Sequence, residues 1–137
     1  MADRDRPYAD DGGAAVVDFV MVSVLLVFLL FAVLQVAVYV YSKNVIGAAA
    51  ADGARYGANA GVDPTEGGRR ADALIGTGLN PEIAAAIPCT GSASVDAASG
   101  LPVTTVRCHG HLKLLFLPLS APITIDVRSS ALREQTP

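Results

Sequence analysis

FVMVSVLLVFLLFAVLQVAVYVYS, residues Phe19 to Ser42, runs for 24 residues without a charge. As an α-helix it is about 36 Å long at ~1.5 Å per residue, enough to cross a hydrocarbon core of about 30 Å with some tilt. Its only polar members besides tyrosine are Ser23, Gln35 and Ser42. Tyr39 and Tyr41 stand at its C-terminal end, where amphipathic rings favour the membrane–water interface. A buried core helix is the competing reading, but the rest of a 137-residue chain could hardly cover such a helix on all sides.

A cleaved secretory signal is the other rival, and Ala48-Ala49-Ala50 even offers an A-x-A-like site. Two features oppose it. The apolar run exceeds the ~7–15 residues of a signal h-region. The segment before it, MADRDRPYADDGG, carries four acids against two arginines, where a signal n-region is basic.

The chain has a net charge of -3, a hydrophobic fraction of 52% and two cysteines, Cys89 and Cys108. Both cysteines follow the span. An even count in a small domain suggests a disulfide and hence an oxidising compartment. Closing a loop of ~20 residues contributes about 3 kcal/mol in the chain-entropy model. Basic residues flank the span on both sides, Arg4 and Arg6 before it, Lys43 and Arg55 after it, and leave orientation open. The cysteines break the tie, with the N-terminus inside and the C-terminal domain outside.

After the span the helix is expected to continue through KNVIGAAAADGARYGANAG until Gly61 ends it. Ile46, Ala49, Ala50, Gly53, Tyr56, Gly57 and Ala60 recur at helical spacing and form a face of mostly small residues. Such a face admits another backbone closely, either the protein's own sheet or a second subunit. Asp63-Pro64-Thr65-Glu66 reads as a fresh helix start with Asp63 as N-cap, and Ala71, Leu74 and Ile75 give that helix an apolar side. Asn80-Pro81-Glu82 repeats the signal for a short turn that Pro88 stops.

From Ser92 the period changes to two. Ser92 to Ala97 is a weak strand, Ser99 to Pro102 a turn and Val103 to Gly110 a second strand. Ile123, Ile125 and Val127 alternate with Thr124, Asp126 and Arg128 in a third. The expected fold class is α+β: a long N-terminal transmembrane helix running into a small extracytoplasmic domain with a short antiparallel β-sheet. A hairpin centred near Gly100 would bring Cys89 toward Cys108. The apolar stretch Leu112 to Leu119 between the last strands either plugs the core or meets a partner or the membrane surface.

The chemistry sits at the start of the span: Gly13-Ala14-Ala15-Val16-Val17-Asp18-Phe19. A glycine precedes four small or apolar residues, one carboxylate, one aromatic and then the uncharged run. This resembles the G-x-x-x-x-E-F/Y signature of type IV pilins, in which a membrane aspartyl peptidase cuts after the glycine. The resemblance implies Ala14 as the mature N-terminus and Asp18, shorter than the usual glutamate, as the fifth mature residue. It narrows to TadE-like proteins of tight-adherence systems, whose N-terminus resembles GSAAVEFA. Here the text is GGAAVVDFV, and Gly53-Ala54-Arg55-Tyr56 is similar to that family's GARy segment. Asp18 also has a plainer reading, as an acid in the first turn of a helix.

What the resemblance implies is a leader at 1–13, a transmembrane helix at 14–42 and an extracytoplasmic pseudopilin domain at 43–137. The chain is then a minor pseudopilin or assembly component of a tight-adherence type IV pilus or related secretion system. The alternative is a single-pass membrane-anchored envelope binding protein outside any filament. The implied partners are the membrane, a prepilin peptidase, other pilins and pseudopilins, and the pilus assembly platform. No enzyme, cofactor or nucleic-acid role is expected. Cys108-His109-Gly110-His111 invites a metal, but on a strand Cys108 faces away from both histidines, and a disulfide removes the thiolates. Arg69 and Arg70 read as solvated surface.

Overall fold

In the computed structural model, residues 12–112 and 123–134 are described; the leader up to residue 11 and the apolar stretch Leu114 to Leu119 lie outside them. The chain forms two compact units, Met1–Val36 and Ala37–Pro137. In the first, helix α1 begins at Gly12, and the large apolar side chains from Val16 to Val36 are exposed.

In the second unit α1 runs on to Ala58, followed by α2 (Pro64–Gly78), α3 (Pro81–Ala86), β1 (Cys89–Val95), β2 (Pro102–Leu112) and β3 (Ile123–Leu132). The strands form one antiparallel sheet in the order β1-β2-β3. The core gathers Ile46, Ala50 and Ala54 of α1, Ala71 and Ile75 of α2, Ile87, and Val106, Cys108 and Ile125 of the sheet.

Local chemistry explains each boundary. Asp63 caps α2: its carboxylate accepts from Thr65 N–H at 2.8 Å and from the Thr65 hydroxyl at 2.7 Å. Glu66 does not reach back to the cap as a capping box would; it pairs with Arg69 at 2.7 Å. Asn80 Oδ1 caps α3 by accepting from Ile83 N–H at 2.8 Å. In the β1–β2 turn Asp96 accepts from Ser99 N–H at 2.9 Å, and Gly100 takes φ +69°, the left-handed region that favours glycine.

The small-residue face of α1 is filled from within the chain. Gly53 and Gly67 meet backbone to backbone, so that a Cβ on Gly67 would lie 2.5 Å from the Gly53 carbonyl oxygen. Thr104 of β2 donates its hydroxyl to Gly57 C=O at 2.9 Å. The buried positions are Ser42, Ile46, Ala49, Ala50, Gly53, Ala54, Gly57 and Ala58. Tyr56 and Ala60, expected on this face, are exposed. A 3.6-residue period carries the stripe through 54 and 58, and Ala60 lies beyond the helix. Tyr56 instead lies under the Arg70 guanidinium, 5.5 Å from its ring centroid, while Arg70 pairs with Asp52 at 2.9 Å. Arg69 and Arg70 are exposed as expected, yet Arg70 joins α2 to α1.

The strands differ from expectation at their ends. β1 starts at Cys89, not Ser92, and stops at Val95, not Ala97. Its CTGSASV text has no apolar alternation; the β2 ladder and close backbone packing on Gly68 of α2 hold it. β3 continues past Arg128 through Ser129-Ser130-Ala131-Leu132. Beyond it, Glu134 N–H bonds Ala58 C=O at 2.9 Å, occupying one of the carbonyls left open at the end of α1.

Candidate functional site

The leader–span junction forms the first turns of α1. Gly13 is exposed, and a Cβ placed on it would meet nothing within 4 Å. Among the described residues only Gly61 and Gly100 have positive φ. Neither packing nor backbone conformation therefore asks for glycine at position 13. The Gly12-Gly13 pair does weaken the helix locally, by about 1 kcal/mol per glycine relative to alanine, which eases exposure of the Gly13–Ala14 peptide bond.

Asp18 is exposed and lies four residues after Ala14, on the same side of the helix and about 6 Å further along its axis. Because α1 begins at Gly12, Asp18 falls in the second turn; the first turn holds no acid. The expectation of a first-turn acid favoured by the helix dipole is corrected accordingly, since that effect fades beyond the first turn. Phe19 is 73% exposed and opens the uncharged run. From Gly13 onward α1 is long and apolar enough to cross a membrane, and the qualifying window has no share buried inside the protein. Gln35 is an exception in character: its Oε1 is buried with no hydrogen-bond partner among the described residues.

Cys89 and Cys108 are joined by a disulfide and stand directly opposite each other in the β1–β2 register, with Cα atoms 4.0 Å apart. Cys89 N–H also donates to Asp72 Oδ1 at 2.8 Å. Burial pushes the Asp72 carboxyl above its ordinary range, and that hydrogen bond pulls it partly back. Cys108 points into the core while His109 and His111 face solvent. Among the described residues no three histidine, cysteine or acidic side chains converge to hold a metal.

The outer face of the sheet holds a cluster that the sequence reading did not assemble. Arg107 donates through Nε to Asp126 at 3.0 Å and also through Nη2. The guanidinium holds the Asp126 carboxyl below its ordinary range, with the nearby His109 assisting. Pro88, Thr90, Arg107 and His109 line a shallow depression of about 410 Å³. The polar alternation of Arg107, His109 and His111 was visible in the sequence, but the strand register was needed to place Asp126 among them.

Residues 13–55 match the family model described as TadE-like protein. The match contains Gly13, Ala14, Asp18, Phe19, the whole apolar run and Gly53-Ala54-Arg55. No curated protein and no solved structure matches the chain.

Proposed function

We propose that this chain, TadE-like over residues 13–55, is a minor pseudopilin or assembly component of a tight-adherence type IV pilus or a related secretion system. TadE-like proteins are pilus components, and the long apolar N-terminal helix fits a membrane anchor in such a system. In this reading a prepilin peptidase removes residues 1–13, residues 14–42 anchor the chain, and residues 43–137 form an extracytoplasmic domain. The partners are other pilins and pseudopilins and the assembly platform.

One observation carries the reading. Gly13 has no structural reason to be glycine, yet it stands five residues before Asp18, the single charged residue of the stretch 14–42, whose large apolar side chains from Val16 to Val36 are exposed. A peptidase that selects glycine supplies the missing reason. The Cys89–Cys108 disulfide supports an oxidising, extracytoplasmic side for the second unit.

The experiment is the intact mass of the protein extracted from membranes of cells with an active prepilin peptidase. The expected mass begins at Ala14. A full-length N-terminus overturns the reading and favours a membrane-anchored envelope protein outside any filament.

A further inference from the structure

The outward-facing residues of β2 and β3 form rows. Arg107 stands opposite Arg128, His109 opposite Asp126, and His111 opposite Thr124, and all six are exposed. Two guanidiniums and two imidazoles therefore share one carboxylate, Asp126, which Arg107 already engages. His109 Nδ1 lies 3.8 Å from that carboxylate, and the two imidazole centroids are 6.1 Å apart. The hydroxyl-bearing rows nearer the β1–β2 turn, Ser94, Thr105 and Ser130, satisfy one another. Within the strands, Arg107, Arg128 and the two imidazoles thus lie from the middle of the sheet toward the end away from that turn, while Arg133 follows β3 at the turn end.

The level of that end follows from contacts within the second unit. Thr104 bonds Gly57 and Glu134 bonds Ala58, so β2 begins and β3 ends beside the C-terminus of α1. From Thr104, β2 descends to Leu112, a distance of about 26 Å at ~3.3 Å per residue. The same distance along a helix is about 17 residues, which counts back from Gly57 to Val40. Val106, two residues beyond Thr104, lies at Gly67, which in turn meets Gly53, so β2 descends along α1. That end of the sheet is therefore level with Tyr39 to Ser42, where the apolar run closes, and Lys43 is the next residue, exposed on α1.

We propose that this end of the sheet, through His109, His111 and Arg128 together with Lys43, rests on the bilayer that holds the apolar run and binds the headgroups of anionic lipids. The inference depends on reading Phe19 to Ser42 as a membrane span. Charge complementarity and position select the occupant. A headgroup layer is about 5–8 Å deep, and electrostatic attraction extends about one Debye length, ~8 Å at physiological salt. The His111 row lies at that level, the His109 row about 7 Å above it, and Arg128 is long enough to reach down. The surface is held beside its ligand by the same helix that anchors it, which raises the effective concentration without further contacts. A soluble acidic protein would have to find the same residues in competition with that surface.

Hydrogen exchange of the full chain in nanodiscs tests the proposal. Discs of phosphatidylcholine alone are compared with discs that also contain phosphatidylglycerol. Amides of residues 107–112 and 123–128 should exchange several-fold more slowly with phosphatidylglycerol present, and added salt should erase the difference. The combined variant Lys43→Gln, His109→Gln, His111→Gln, Arg128→Gln should show no lipid dependence while β1 amides keep their parental protection. Equal exchange in both discs overturns the proposal while leaving the span intact. Slowing by added polyglutamate but not by phosphatidylglycerol replaces the lipid with an acidic protein partner. Failure to enter either disc removes the span reading and this one with it.

Discussion

At the scale of single residues, Asp18 is the informative position. After cleavage Ala14 would carry a free α-amino group, with a reference pKa of about 7.7–8, largely protonated at neutral pH. Asp18 follows by about 6 Å along the helix; with the apolar run placed in a bilayer as proposed, a lone carboxylate there would be disfavoured by several kcal/mol. A neighbouring subunit offset along a filament could offer its terminal amine and set the axial register. Asp18→Ala should insert and be cut after Gly13 like the parent, yet co-purify with pilus partners several-fold less. Asp18→Glu should assemble normally. Parental assembly of Asp18→Ala would reduce the carboxylate to an ordinary surface charge. Gly13 and Asp18 were both legible in the sequence because each is unusual where it stands, a glycine at an exposed helical position and a lone carboxylate beside an uncharged apolar run. Arg107 with Asp126 was not, because their meeting depends on a register between strands separated by the 113–122 connection.

At the scale of elements, the helices were legible from their caps and the strands only from their apolar alternation. Asp63-Pro64 and Asn80-Pro81 state their structural role in the text, since a side-chain cap and a proline act within a few residues. β1 states almost nothing, because Gly91, Ser92 and Ala93 are held by neighbours distant in sequence. The α1–α2 contact was half legible: small residues announced a close approach without saying to what. It now makes a definite prediction. Gly53→Ala collides with the Gly67 carbonyl and should lower stability by about 1–3 kcal/mol, the usual range for overpacking. Gly13→Ala, with open space around it, should not lower stability and should raise it by up to about 1 kcal/mol. Chemical denaturation of the two variants in the same detergent compares them directly. The disulfide belongs to this scale too. Alkylation with and without reductant, read by mass, should find no free thiol before reduction. Reduction should cost about 2–5 kcal/mol.

For the whole molecule, pH reports the balance of its surface carboxylates. Hydrogen bonds hold three acids of the second unit below their ordinary value of 3.8: Asp63 through Thr65, Asp96 through Ser99 and Asp126 through Arg107. A depressed acid contributes stability above its unfolded value and loses it as pH falls through the folded one. Asp72, raised by burial, has the opposite sign, and its strain is relieved on acidification. With three groups against one, the melting temperature of the detergent-solubilised protein should fall as pH drops below about 4. Asp126→Asn should show a smaller fall than the parent. An unchanged melting temperature down to pH 2 would contradict the assignment. The α+β class and the order of parts were legible at this scale, because a long uncharged run followed by alternating short strands admits few arrangements.

The bond from Glu134 to Ala58 has a practical reach beyond stability. It places the end of the described chain beside the far end of the long helix, about 24 Å along its axis from the close of the apolar run at Ser42. A fluorescent or affinity handle fused at the C-terminus would therefore be attached well away from the lipid and would survive maturation. Under the proposed cleavage after Gly13, a handle fused to the N-terminus would be discarded with the leader. Paired strains carrying one handle each would turn processing into a difference in colour or retention on a column.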